Sequence, residues 1–394
     1  MLEAPDANDN RRRAMRVIWC FGLVSLFADM TYEGAHSVAG PFLKGLGASG
    51  KVVGFVAGFG EMIAASLRYF SGRFADKTRA YWTLAIAGYA LNIIVVPALA
   101  LAGNWPLAAL FFTLERAGKA LRGPSRDTLL SEATETVGHG WGFGIHAAMD
   151  QTGAVVGPLI VALMLWFNLG YSRVYLWLGV PAILTLFALI GARAAWMGRP
   201  KAPAPKPPQP IPGVFWPYIV AAGLFACGMV DFQLMAYHFS KSDFFDDKYI
   251  PLLYAGAMGV NGITAVIFGR LFDKFGIATL SCGILVALFS LPLAFLDGPA
   301  GAIGAVACWA SGLGVQDACL RSGIAQVVSM SKRGSAFGTF NAVYGVAWFA
   351  GSAAMGALYD VSLVAMVAFG IAAQLAAAIL FFSLRKPLAA ARHL

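Results

Sequence analysis

The chain has 394 residues, 59% of them hydrophobic and only 12% charged, with a formal net charge of +9. A water-soluble domain carries roughly 25% charged and about 45–50% apolar residues, so an aqueous core cannot absorb this excess and lipid can. Lys and Arg fall in short clusters between apolar runs, which is the distribution of the positive-inside rule and not of a nucleic-acid surface.

Spans long enough to cross the hydrocarbon core are predicted at 15–43, 51–71, 80–102, 105–125, 140–166 and 172–197. Six more follow at 214–239, 249–270, 276–296, 299–327, 335–358 and 361–384. The first run continues far past a signal-peptide core, so it is expected to remain as a membrane helix. Between the two sets lies 199–212, too rich in proline for helix and expected to be an extended connector. The fold class is therefore an all-α polytopic membrane protein, with twelve transmembrane helices in two pseudo-symmetric six-helix bundles. Its expected parts are an N-terminal segment 1–14, a bundle 15–198, a linker 199–213, a bundle 214–385 and a tail 386–394. Arg11, Arg12, Arg13 and Arg16, then Arg73, Lys77 and Arg79, Lys201 and Lys206, Lys332 and Arg333, and Arg385 and Lys386 all fall on one side if the helices alternate. Both termini are then expected to be cytoplasmic.

A charge at the bilayer centre costs about 2.5–3.5 kcal/mol even on a lenient scale, so such residues should face a cavity or a partner. Asp29 and Glu33 share a face of the first span, and their proximity suits proton coupling or, on the plainer reading, salt bridges between helices. Glu61, near the middle of the second span, fits a coupling, cavity or interhelix role. The fourth span carries Glu115, Arg116, Lys119, Arg122, Arg126 and Asp127. Glu115 and Lys119 make a favourable i, i+4 pair. Arg116 or Lys119 could neutralise Asp29 or hold an anionic substrate, and Arg122, Arg126 and Asp127 suit an inner gate. His146 and Asp150 form an i, i+4 pair read as a polar clasp, with Asp150 a candidate lining residue. Asp231 and His238 on the seventh span are candidate substrate contacts, and Asp317 and Arg321 on the tenth are read mainly as an internal pair lining the same cavity. His36, His146 and His238 lack zinc-ligand spacing. Cys20, Cys227, Cys282, Cys308 and Cys319 lie in apolar runs without C-x-x-C spacing and read as packing residues.

The halves repeat. Gly72-Arg-Phe-Ala-Asp76-Lys77 matches Gly269-Arg-Leu-Phe-Asp273-Lys274 at an offset of 197 residues. Asp29, His36, Glu115 and Lys119 match Asp231, His238, Asp317 and Arg321 at an offset of 202. The loop Gly72-x-x-x-Asp76-Lys77-x-Arg79 resembles the signature loop of the major facilitator superfamily, whose parallel repeats enclose a midplane site. Arg116 falls where that family carries an arginine associated with proton coupling. Gly153-Ala-Val-Val-Gly157-Pro158 resembles its antiporter signature, although Gly153 and Gly157 also suit simple helix packing. The resemblance implies gating roles for Gly72, Asp76, Arg79, Gly269 and Asp273. Asp29–Glu33, Arg116–Asp127 and His146–Asp150 are similar to a bacterial branch that includes exporters assigned to nickel resistance. Departures at Met30–Tyr32, Ala120 and Ala147, and a tail without a histidine-rich stretch, keep nickel itself from being carried over.

No G-x-x-x-x-G-K-[ST], His-Glu-x-x-His or Gly-x-Ser-x-Gly motif is present, which argues against an ATP-driven pump or an intramembrane enzyme. The expected function is secondary active transport of a small solute by alternating access, as proton-coupled efflux, with proton-coupled uptake or transport of a metal ion or chelate as alternatives. Expected partners are a small-molecule or ion substrate, protons and membrane lipid. No cofactor, resident metal or nucleic acid is expected, and the chain is expected to act as a monomer in the bacterial cytoplasmic membrane.

Overall fold

The computed structural model describes residues 7–134, 137–196, 212–328, 333–385 and 387. Residues 197–211 of the expected connector region and 386 and 388–394 of the expected tail, with Lys201, Lys206, Lys332 and Lys386, lie outside the described residues, as does the side chain of Arg333. All regular structure among the described residues is helical. Lipid offers the backbone no hydrogen bonds, so each crossing must satisfy its own N–H and C=O groups.

Among the described residues, eleven helices are long and apolar enough to cross a membrane. They are α1 (Arg11–Ser37), α2 (Gly50–Thr78), α3 (Tyr81–Leu101), α5 (Gly140–Trp166), α6 (Tyr171–Ala195), α7 (Phe215–Lys241), α8 (Ile250–Phe275), α9 (Ala278–Phe295), α10 (Pro299–Ile324), α11 (Ala336–Tyr359) and α12 (Leu363–Ser383). Between α3 and α5 runs α4 (Trp105–Thr134), long enough to span but carrying the ladder of charges that begins at Glu115. Ile94, Phe187, Ile263 and Ile379 are exposed, as lipid-facing side chains should be. α7 is the most interior crossing, with 78% of its apolar window buried.

Several crossings are less regular than expected. The first stops at Ser37, and Ala39–Gly45 forms a separate short helix instead of extending it to 43. α7 breaks into Phe215–Gly228 and Phe232–Lys241, with Met229 and Asp231 extended. Side chains satisfy the freed carbonyls: Gln374 Nε2 donates to Gly228 O, and Trp309 Nε1 to Val230 O, each at 2.8 Å. α10 widens into a π-turn over Gln316–Leu320.

The chain forms two compact units. The first contains Met1–His36 and Leu67–Pro203, the second Ser37–Ser66 and Ala204–Leu394. The first half of α2 thus packs with α7–α12. Within this second unit, Gly54 lies against Ser352 and Gly356 of α11 so closely that a Cβ would stand 2.8 Å from the Gly356 Cα. Asp360 accepts the N–H groups of Gly50 and Lys51 at 3.2 and 2.9 Å, capping α2 from outside its own sequence. Lys44 Nζ donates to Ser240 O at 2.6 Å.

Candidate functional site

In the first unit, three helices carry the same spacing of polar and small residues: Ser25, Asp29, Tyr32 and His36 on α1, Glu115, Lys119, Arg122 and Arg126 on α4, and His146, Asp150, Gly153 and Gly157 on α5. Steps of four, three and four keep each set on one helix face. The glycines set the spacing between α1 and α5. A Cβ on Gly153 would stand 3.1 Å from the Asp29 Cβ, and one on Gly157 would stand 2.8 Å from the Met30 Cα. Close approach of the backbones brings Asp150 beside Asp29.

Asp29 is buried, and the carboxyl group of Asp150 adjoins it. Two carboxyl groups this close disfavour double ionisation. One turn away, His146 Nε2 and Ser25 Oγ are 2.7 Å apart, and Arg126 Nη1 reaches the same hydroxyl at 3.4 Å. Arg126 is also paired with Asp127 at 2.8 Å. In the other direction, Lys119 Nζ lies 3.9 Å from Glu33 Oε1 and 3.9 Å from the centre of the Tyr32 ring. The buried Arg122 guanidinium stacks on Tyr89 at 4.5 Å and faces Tyr32 at 5.5 Å. Glu115, 1% exposed, meets His36 Nε2 at 3.0 Å and Arg116 Nε at 3.8 Å.

Neighbouring helices add partners to the expected ones. Asp29 interacts with Asp150 as well as with Glu33, which stands by Lys119. Glu115 meets His36 and Arg116 as well as interacting with Lys119. His146 and Asp150 interact with each other and also reach Ser25 and Asp29 on α1.

Asp76 accepts a hydrogen bond from Tyr81 OH at 2.9 Å, and Gly72 faces Pro124, where a Cβ would stand at 3.5 Å. Arg79 closes that loop with φ +58°, a left-handed position in which an L side chain is strained. Gly269 faces Ala318 on α10, Asp273 ends α8 one turn on, and Pro158 lies inside α5.

In the second unit, Asp231 is buried at the α7 break, where Trp348 Nε1 donates to it at 2.8 Å and Ser352 Oγ donates to its other oxygen. His238 Nδ1 is 2.9 Å from Tyr359 OH. Asp317 is exposed and accepts from Asn261 Nδ2 at 3.4 Å, while Tyr344 OH donates to Gln316 at 2.8 Å. Arg321 is exposed one turn beyond. Among the described residues no group of three or more His, Cys, Asp or Glu side chains is placed to hold a metal ion. The expectations missed Ser25, Tyr32, Tyr89, Asn261, Tyr344, Trp348 and Ser352, none of which is charged. Ser25 and Tyr32 were marked by their helical spacing from Asp29, whereas Tyr89, Tyr344, Trp348 and Ser352 lie on crossings that carry no charged residue to mark them.

Helices long and apolar enough to cross a membrane, with polar side chains held among them, define a polytopic membrane protein equipped to handle a polar solute. The chain belongs to the Major Facilitator Superfamily, whose family model matches residues 21–352. An uncharacterised protein of Mycobacterium tuberculosis (strain ATCC 25618 / H37Rv) is 37% identical over 387 residues, covering 95% of this chain and 94% of that one. The multidrug resistance protein MdtH of Proteus mirabilis (strain HI4320) is 28% identical over 156 residues, 40% of this chain and 37% of that one. Among solved structures, the peptide transporter POT in complex with sulfate has a TM-score of 0.75 at 12% identity, covering 95% of each chain, a likeness of fold.

Proposed function

We propose that the protein is a proton-coupled exporter of a small solute, working by alternating access in the bacterial cytoplasmic membrane with both termini cytoplasmic. The observation that carries this reading is the juxtaposition of the buried Asp29 with Asp150 where Gly153 and Gly157 bring α5 against α1. Two adjoining carboxyl groups disfavour double ionisation, so such a pair holds one proton that it has a reason to release. Around it, Asp29, Glu33, Glu115, Asp127 and Asp150 stand against Arg116, Lys119, Arg122 and Arg126. One proton on the pair makes these charges balance. Losing it leaves an uncompensated negative charge in a buried setting, which a cationic partner or a change of helix packing can relieve. Lys119 sits on the Tyr32 ring within reach of Glu33 and acts on Asp29, so it is placed to move toward the pair on proton release. The similarity to a multidrug resistance protein supports efflux over uptake.

In this mechanism Asp29 and Asp150 bind the proton, and Arg126, fixed by Asp127 and Ser25, keeps Asp150 oriented. Asp76 and Asp273 act on the conformational cycle and not on recognition. Proteoliposomes containing Asp29→Asn or Asp150→Asn protein are expected to lose pH-gradient-driven substrate flux entirely. If Asp29→Asn still drives accumulation with wild-type pH dependence, the pair is structural and the proton is carried elsewhere.

A further inference from the structure

The second unit contains a polar site that the proton reading does not use. It forms around the π-turn of α10, a feature that in helices often marks a functional position. Asp317 lies in that turn. Its repeat-mate Glu115 is almost wholly buried and neutralised by His36 and Arg116. Asp317 is instead exposed. Equivalent carboxylates in the two halves thus differ in their access to solvent.

Besides Arg321 one turn on, Asp317 has hydrogen-bond acceptors beside it. Asn261 commits its Nδ2 to Asp317, which leaves its Oδ1 enclosed without a hydrogen-bond donor. Tyr344 commits its proton to Gln316, so its oxygen can only accept further. The carboxylates of Asp317 and Glu61 both act electrostatically on Tyr344. Glu61 reaches this place because α2 packs on α11, where a Cβ on Gly345 would stand 3.6 Å from the Glu61 carbonyl. Aromatic surface adjoins the acceptors. Phe340, Tyr344 and Trp348 follow one another at four-residue steps along α11, with ring centroids 5.3 and 5.8 Å apart.

From this geometry we infer that Asp317, Glu61, Asn261 and the Tyr344 ring form the recognition site for an organic cation carrying N–H groups beside an aromatic or apolar body. The carboxylates supply charge, the Asn261 oxygen takes an N–H, and the ring face attracts the cation. This inference rests on the transporter reading and adds its substrate class, so its test must be separable from the test of proton coupling.

The test is equilibrium binding of ethidium to purified full-length protein in detergent, read by fluorescence polarisation without any gradient. The anionic dye fluorescein serves as comparison. Ethidium is expected to bind saturably and fluorescein not to compete. Asp317→Asn and Tyr344→Ala are each expected to weaken ethidium binding at least about tenfold, and Asp317→Glu to stay within about threefold of wild type. Glu61→Gln provides a second acidic variant if Asp317→Asn does not yield cooperatively melting protein, with weakening of at least about threefold expected. The inference is overturned if wild-type protein does not bind ethidium, if fluorescein competes equally, or if well-folded Asp317→Asn and Tyr344→Ala bind like wild type. Binding is read without a gradient, so loss of proton coupling with binding intact would sink only the proton reading.

Discussion

The two buried acids of the first unit differ in what surrounds them, and their replacement should differ accordingly. Glu115 is enclosed by His36 and Arg116, so removing its carboxylate takes a counter-charge from Arg116 in a low-dielectric site. Breaking a buried pair from one side costs about 3–5 kcal/mol. Glu115→Ala is therefore expected to lower the thermal unfolding temperature in detergent by several degrees, with His36→Gln milder because it leaves the Glu115–Arg116 pair in place. Equal melting of Glu115→Ala and wild type would show that water reaches the site. The charged members of this cluster were legible as sequence, since charges inside apolar spans demand partners. Their partners were not. Helical periodicity says which residues share a face but not which helix lies opposite. That is why Glu33 was legible as a neighbour of Asp29, and Asp150, which the glycines of α5 deliver to it, was not.

At the scale of helices, position was legible where composition was extreme and hidden where the backbone departs from regularity. Nothing at Met229–Asp231 resembles a breaker such as proline, yet α7 breaks there because Gln374 and Trp309 reach the freed carbonyls from α12 and α10. The π-turn of α10 is equally silent in sequence. The second unit also shows what holds the first half of α2 in place: the Gly54 contact with α11 and the external cap from Asp360. Alternating access requires contacts of this kind to be reversible. An N-cap carboxylate contributes about 0.5–2 kcal/mol, enough to shift a two-state population several-fold without unfolding the helix. Spin labels at Lys51→Cys and Val361→Cys should give a short distance in the otherwise wild-type protein. Asp360→Ala should enlarge a longer-distance population several-fold. An unchanged distance distribution would mean that the cap merely stabilises the loop.

For the molecule as a whole, the count of crossings was readable because each needs its own apolar run, and the run at 105–125 marks α4 as a crossing despite its charges. Its length of 30 residues, between α3 and α5, fits that reading. With α4 included, the parity of the chain places the α2–α3 turn and the α7–α8 loop on opposite sides. The charges agree with this placement. Arg73, Lys77 and Arg79 surround the first, while the second carries Asp243, Asp246 and Asp247, with Lys248 tied to Asp246 at 3.0 Å. Basic segments are retained in the cytoplasm. In a chain cleared of its native cysteines, Ser242→Cys is therefore expected to react with a membrane-impermeant maleimide in intact cells, and Lys77→Cys only after lysis. Labelling of both from the same side would remove α4 as a crossing and with it the twelve-helix topology. Opposite labelling with the sides exchanged would keep twelve helices but place the termini outside, reversing the direction in which Asp29 and Asp150 meet the proton gradient.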